Sequence, residues 1–295
     1  MRRFPAVRIA AIVFCASLVF FGFATVEVAA HSWAEASAQE PAKAIQELRL
    51  KDGSRLYGYV EESAPDRVVF TTLTGARLEV QRAQIESLAP VRGRLVNGEF
   101  LPADPNPTRL FFAPTGRALR RGEGYFGVYE FVLPFLQVGL TDRISIGAGT
   151  PLFFGGDSGH PFWVTPKVQV YEHGPSSVAV GIIHFMNVGD GNFGIAYAVT
   201  TYGGLDDAVT GGVGYAYARY SKSSHPTAIG MIGGEHRIGR RLKFITENYV
   251  WHDGGIISGG MRFLGERLSA DVGIFAPIVA DTTIAAPVVN FVWKF

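Results

Sequence analysis

Eight charged residues in the second half of the chain fall on the polar face of predicted β-strands, the face that we expect to point into the interior. They comprise four acids and four bases: Glu130, Lys167, Glu235, Arg237, Glu247, Arg262, Asp271 and Lys294. Lining a water-filled interior, such side chains could select solutes by charge. Paired with one another, they could instead fill a narrow interior as a structural network. Because buried charges need partners, the equal numbers of acids and bases favour the structural network.

The remaining polar residues give little support to catalysis or metal binding. Acyl hydrolysis needs a Ser-His pair oriented by a third polar group, and no such arrangement stands out around the histidines after residue 38. Glu235 and His236 are neighbours, so on a strand they point to opposite faces and cannot share a metal. The sequence also lacks a P-loop and a dinucleotide fingerprint. We therefore predict no enzymatic activity, no metal and no cofactor.

These charges are expected to lie on β-strands, because the residue types in the second half of the chain repeat with a period of two. Of the 36 glycines, 29 follow residue 120, and apolar residues there alternate with small or polar ones. Leu136, Val138 and Leu140, for example, alternate with Gln137 and Gly139. No apolar run in this half is long enough for a membrane-spanning helix. The pattern predicts an all-β fold.

About twelve alternating segments, within a range of roughly 10 to 14, fit residues 123–295, with about 14 residues for each strand and its connection. The polar faces carry Gly, Ala, Ser and Thr rather than the Lys and Glu of a soluble surface. In hydrocarbon, only a closed sheet satisfies all backbone groups. We therefore predict an antiparallel transmembrane β-barrel over 123–295, with a secreted soluble β protein as the alternative.

The N-terminus has the layout of a secretory signal peptide. Met1-Arg2-Arg3 precedes an apolar run over 9–25, and Ala36-Ser37-Ala38 offers a cleavage site, so residues 1–38 are predicted to be removed. The alternative is an uncleaved membrane anchor. The single cysteine, Cys15, lies in this segment, so the mature protein is expected to be stable without disulfides.

Residues 39–91 form a small predicted β module with turns at Asp52-Gly53 and Thr74-Gly75. Its pattern resembles the Sm-like or SH3-like barrels of bacterial envelope proteins, which implies a periplasmic structural or interaction module with a possible protein partner. The balanced net charge of +1 argues against nucleic-acid binding. Residues 92–122, rich in proline and arginine, are predicted to form a linker or a plug-like segment.

The last strand carries Val289, Phe291, Trp293 and Phe295 at alternating positions. This pattern resembles the C-terminal β-signal of outer-membrane barrels. It implies insertion by the barrel assembly machinery into outer-membrane lipid of a Gram-negative-type envelope, and pairing of the last strand with the first. Residues 122–126 and 140–147 also resemble a family of bacterial outer-membrane β-barrel proteins without an established substrate. That resemblance implies a fold and a location.

Aromatic residues at predicted strand ends suit interfacial girdles, although ordinary sheet packing is the alternative. They are Tyr125, Phe153, Trp163, Tyr220 and Trp251. Together these features predict a protein of the cell outer membrane whose small module lies in the periplasm. Its function is predicted to be a narrow porin-like channel for small solutes. The alternative is a non-conducting structural or adhesive barrel with a periplasmic interaction module.

Overall fold

The computed structural model describes residues 45–96, 99–153, 160–188, 191–220, 223–224, 227–278 and 285–295. The predicted signal peptide over 1–38 lies outside these residues. The described chain separates into two compact units, residues 45–103 and 104–295. Within the described residues, no helix is both long and apolar enough to cross a membrane.

The first unit is a five-stranded antiparallel sheet followed by a short hairpin. Its strands are β1 (Gln46–Leu50), β2 (Arg55–Ser63), β3 (Arg67–Thr72), β4 (Arg77–Gln81) and β5 (Ile85–Pro90), with a 3-10 turn at Arg82–Gln84. The sheet order is β4-β3-β2-β1-β5, and β6 (Gly93–Val96) pairs with β7 (Glu99–Pro102). Leu48, Phe70 and Val80 form its core. The resemblance to Sm-like or SH3-like barrels remains a prediction.

The predicted Asp52-Gly53 turn joins β1 to β2. Gly53 has a φ of 89°, which a residue without Cβ adopts at no steric cost. The Asp52 carboxylate accepts a 2.8 Å hydrogen bond from the backbone N–H of Ser54, and this bond lowers the pKa of Asp52 below its usual value. The turn residues therefore account locally for the sharp reversal of the chain.

The second unit contains the long antiparallel strands. In chain order, these are β8 (Gly124–Tyr129), β9 (Leu133–Gly139), β10 (Ile144–Gly149), β11 (Phe162–Val164), β12 (Lys167–His173), β13 (Ser176–Val188), β14 (Gly191–Gly203), β15 (Asp207–Tyr220), β16 (Ser223–Ser224), β17 (Thr227–Gly239), β18 (Leu242–Trp251), β19 (Gly254–Leu264), β20 (Leu268–Ile278) and β21 (Ala286–Lys294).

The long sheet closes on itself. Strands β11 and β12 each pair with both β10 and β13 and so occupy one position in the wall, while the short β16 pairs only with β15. The last strand pairs with the first, with Phe291 opposite Val128. The prediction of an all-β fold with an antiparallel barrel of about twelve strands is confirmed: the barrel has 12 strands. We name the rim where β8 begins and β21 ends the proximal rim, and the opposite rim the distal rim.

Strand β20 illustrates the two faces of the barrel wall. Val272 and Ile274 are exposed on the outside, whereas Asp271 and Phe275 are buried inside. Because successive side chains of a strand point to opposite faces, one strand supplies an apolar exterior and a mixed interior. The interior is not empty, and the segment that occupies it forms the candidate site.

Candidate functional site

Residues 104–119 lie in the barrel interior, and the exposed residues 120–122 lead from them to β8. We call the segment 104–122 the plug. A hydrogen bond of 2.9 Å from the Leu110 N–H to the Ala113 carbonyl closes a tight loop at its tip. A second of 2.9 Å, from the Thr115 N–H to the Thr108 carbonyl, extends this hairpin-like arrangement. Leu110 and Phe111 at the tip are fully buried among wall residues. The plug is therefore packed as a core element of the barrel.

Arg262 on β19 holds the plug from one side. Its guanidinium makes a bidentate ion pair with Asp271 on the neighbouring β20, at 2.7 and 2.9 Å. The remaining N–H groups donate to plug carbonyls, 2.8 Å to Asn106 and 2.6 Å to Leu110. Asp104 of the plug accepts a further bond of 3.2 Å. A fully buried cation is thus satisfied by one wall carboxylate and by the plug itself.

A second charged cluster joins the start of the plug to β17 and β18. The Lys243 ammonium lies 2.9 Å from the Asp104 carboxylate and 2.7 Å from that of Glu235. Glu235 also accepts a hydrogen bond from Arg117 near the other end of the plug. Burial alone raises the pKa of Asp104, but the charges of Lys243 and Arg262 outweigh it and hold that pKa well below its usual value.

Glu247 on β18 anchors the plug tip. One carboxylate oxygen accepts hydrogen bonds of 3.0 Å from the backbone N–H groups of both Phe112 and Ala113. Its other oxygen accepts a hydrogen bond from the Tyr249 hydroxyl. Asn290 on β21 donates at 3.2 Å to the Phe111 carbonyl. These bonds satisfy backbone groups that a buried loop would otherwise leave unpaired.

The opposite wall holds the second half of the plug. The Gly116 N–H donates at 2.8 Å to the Thr201 hydroxyl, and its carbonyl accepts at 3.1 Å from the Gln169 amide. Lys167 donates at 2.6 Å to the Arg117 carbonyl. A Cβ placed on Gly116 would lie 2.2 Å from the Ser177 carbonyl oxygen, so only glycine allows this close approach.

Arg109 completes the contacts toward β8 and β9. Its guanidinium donates at 2.7 Å to the Tyr125 hydroxyl, at 2.9 Å to the Gln137 side-chain oxygen and at 2.9 Å to the Phe112 carbonyl. The plug thus hydrogen-bonds or packs against strands around most of the circumference: β8, β9, β12, β14, β17, β18, β19, β20 and β21.

Five of the eight predicted lumen residues are buried in this arrangement: Lys167, Glu235, Glu247, Arg262 and Asp271. The other three lie elsewhere. Arg237 pairs with Asp206 at 2.5 Å, and Lys294 lies 3.4 Å from Glu123. Glu130 lies in the connection between β8 and β9, with a φ of 51°, instead of on a strand face.

The aromatic girdle prediction does not hold for two of its members. Tyr125 and Trp163 are buried inside the barrel, whereas the adjacent Phe126 and Phe162 are exposed. The physical reason is the strand alternation, which sends the neighbour of each residue outward. Phe153, at 76% exposure, is on the surface, and Trp251 is half-buried. The side chain of Tyr220 lies outside the described residues.

On β21, Phe291 and Trp293 are exposed on the outer face of the barrel, and the terminal Phe295 is exposed as well. Val289 shares their parity and is half-buried. The Phe295 N–H donates at 2.9 Å to the Gly124 carbonyl, so the terminal residue extends the pairing of last strand with first. Recognition of these residues by an assembly machinery remains a prediction.

Three charged residues of this site, Lys243, Asp104 and Arg109, were not among the residues predicted from the sequence. Lys243 has the parity of Glu247 on the same strand, and that signal could have identified it. Asp104 and Arg109 lie in an irregular proline-rich segment whose side chains follow no period. Among the described residues, no group of three or more His, Cys, Asp or Glu side chains is arranged to hold a metal ion.

No protein-family model matches the chain, and no curated protein does either. Three solved structures show a distant likeness. The KdgM porin in complex with disordered oligogalacturonate is 8% identical with a TM-score of 0.43, over 59% of this chain and 98% of that one. A loop-deletion mutant of OmpT, an outer membrane protein of Vibrio cholerae, is 10% identical with a TM-score of 0.39, and the match covers 85% of this chain and 96% of that one. The NanC porin is 9% identical with a TM-score of 0.38, and the match covers 59% of this chain and 98% of that one. Scores this low carry no argument about the activity of this chain.

Proposed function

We propose that this protein is an outer-membrane β-barrel that is closed to diffusion by its own plug. The observation that carries this proposal is the ring of contacts that joins the plug to strands around most of the barrel. Among these contacts, Arg262 and Glu247 bind plug backbone groups from the wall. The buried charges of the wall fix the plug through ion pairs and through hydrogen bonds to its backbone.

The outer surface supports the membrane location. Large apolar side chains are exposed on the outward faces of successive strands, among them Val213, Ile232, Val272 and Ile274. A soluble protein rarely exposes so continuous an apolar surface. A closed antiparallel ladder with an apolar exterior is suited to hydrocarbon, because every wall strand has partners on both sides.

A narrow porin-like channel is the competing hypothesis. Diffusion through this barrel would require the plug to leave the positions in which Asp104 and Gly116 are held. That movement would leave Lys243, Arg262 and Glu247 without their plug partners inside the barrel, which is costly. The geometry therefore favours the non-conducting alternative over a permanently open pore.

Conductance of the refolded full chain in planar bilayers tests this proposal. We expect no steady conductance from the full chain, and stepwise conductance from a variant that lacks residues 105–118. Heat-modifiable gel mobility serves as the control that each protein is a folded barrel before it is added. Steady channels from the full chain would refute a closed lumen. A folded deletion variant that stays silent would show that the plug is not what closes it.

We further propose that the protein is not an enzyme. Separately, we propose that the small unit, residues 45–103, binds a periplasmic protein partner. The support for an Sm-like or SH3-like module is its meander, in which β5 returns to pair with β1. The test is a pull-down from periplasmic extract with the full chain and with a variant lacking residues 45–91. Loss of the same partner from a barrel that still folds is expected, and unchanged partners would contradict the proposal.

A further inference from the structure

The distal half of the barrel interior contains a cavity that is partly open to solvent. The plug tip, through Phe112 and Ala113, contributes to its wall on one side. Tyr129 and Leu133, near the distal rim, and Trp163 on β11 contribute on the other.

The walls of this cavity are mainly apolar. Ile183, Ile195, Val199 and Met231 line one side, and Phe135 faces Trp163 in a stacked arrangement at 6.2 Å on another. A site of this composition binds an aromatic or aliphatic body by removing it from water. Apolar walls alone do not specify a ligand, so the polar groups decide the chemistry.

Among the described residues that line the cavity, Arg109 is the one charged group. Its three hydrogen bonds go to neutral oxygens, and within the described residues it forms no ion pair with a carboxylate. The buried cations Lys243 and Arg262, by contrast, each have carboxylates within 3.2 Å. Lys167 donates to plug carbonyls and does not line the cavity. The cavity therefore presents a buried cation whose charge lacks a direct counter-ion.

Two buried hydroxyls line the same cavity with unused hydrogen-bonding capacity. In the part of the chain that the structure describes, neither the Tyr129 hydroxyl nor the Thr165 hydroxyl has a hydrogen-bond partner. Phe135 brings the polar groups together: its ring centroid lies 4.7 Å from the Arg109 guanidinium carbon and 6.0 Å from the Tyr129 ring centroid. Buried polar groups are almost always paired, so these hydroxyls indicate a polar ligand atom.

We propose that the cavity binds an apolar monocarboxylate. The carboxylate pairs with Arg109 and accepts a hydrogen bond from the Tyr129 hydroxyl, while the apolar body lies against Ile183, Ile195 and the aromatic rings. One cation with donors around it suits a single negative charge in an apolar site. This inference goes beyond closure of the lumen, and a ligand here would stabilise the closed state by binding plug and wall together.

The test compares 2-naphthoate with its neutral counterpart 2-naphthalenemethanol. Binding is measured by equilibrium dialysis on the full chain in lipid nanodiscs, with empty nanodiscs as the background. We expect saturable binding of one 2-naphthoate per chain, about tenfold tighter than binding of the alcohol, because only the acid pairs with Arg109. The Arg109→Gln variant is expected to lose this preference.

Tyr129→Phe is the decisive variant, because the hydroxyl it removes makes no hydrogen bond among the described residues and the fold should survive. It should weaken 2-naphthoate binding about tenfold, the effect of a lost hydrogen bond to a charged group. Tyr202→Phe is the matched control, since Tyr202 is 66% exposed and does not line the cavity. Absent saturable binding, equal affinity for acid and alcohol, or equal effects of the two variants would overturn the proposal. None of these outcomes bears on conductance, which tests the closed lumen separately.

Discussion

Arg262 and Asp271 face each other across β19 and β20 and form a two-bond ion pair inside the barrel, at 2.7 and 2.9 Å. Neither side chain reaches solvent. The pair does more than neutralise two charges, because Arg262 uses its remaining N–H groups to bind the plug carbonyls of Asn106 and Leu110. The stability of the wall and the position of the plug are therefore coupled through one guanidinium.

The Arg262→Met variant should be strongly destabilised. It leaves the Asp271 carboxylate buried without its partner, which typically costs about 3 to 5 kcal/mol. The measurement is urea unfolding of the refolded protein, followed by tryptophan fluorescence. Arg241→Met is the matched control, because Arg241 is exposed and lies 4.0 Å from Glu266, an arrangement worth less than about 1 kcal/mol. Similar losses in both variants would contradict the assigned role of the buried pair.

Removing both charges should be milder than removing one. An Arg262→Met/Asp271→Leu double variant leaves no unpaired wall carboxylate at this position, so it should recover part of the free energy of unfolding lost in Arg262→Met alone. The same urea titration measures this coupling. A double variant no more stable than Arg262→Met would contradict the view that the unpaired Asp271 carboxylate causes the loss.

Glu247→Gln should loosen the plug tip without unfolding the wall. The carboxylate oxygen that binds the N–H groups of Phe112 and Ala113 becomes a neutral amide, which is a weaker acceptor. Hydrogen exchange of peptides covering 108–116 should accelerate about tenfold, while peptides from β14 and β15 stay unchanged. Glu266→Gln, a change at an exposed position, is the control. Unchanged exchange in the plug would exclude Glu247 as its anchor.

Gly116→Ala should displace or destabilise the plug, since the added Cβ would lie 2.2 Å from the Ser177 carbonyl oxygen. Overpacking of this kind costs about 1 to 3 kcal/mol. Gly204→Ala makes the same chemical change where no atom lies within 4 Å of the new Cβ, so it should be nearly neutral. Thermal unfolding monitored by circular dichroism distinguishes them, and equal midpoints would show that the plug backbone does not approach the wall so closely.

The barrel was predictable because period-two alternation and glycine-rich turns are local signals that a closed sheet requires. The plug contacts were not predictable from the sequence. Asp104 and Arg109 lie in a segment whose residue types do not alternate, and contacts between residues more than a hundred positions apart produce no local sequence pattern. Tyr125 and Trp163 were misplaced for a related reason. Each stands beside another apolar residue, Phe126 or Phe162, so alternation does not indicate which of the two faces outward.

An arginine introduced on the outer wall tests the membrane location, because the loss of folding free energy that it causes depends on its depth in the bilayer. Ile232, in the middle of β17, is 58% exposed, and Ile238, near the proximal end of the same strand, is 50% exposed on the same face. In a bilayer, Ile232→Arg should lose about 2 to 4 kcal/mol and Ile238→Arg less than about 1 kcal/mol. Folding titrations in phospholipid vesicles measure both. If the two variants lose the same small amount, the outer face meets water and not acyl chains, since in water an exposed arginine carries no penalty that varies along the strand.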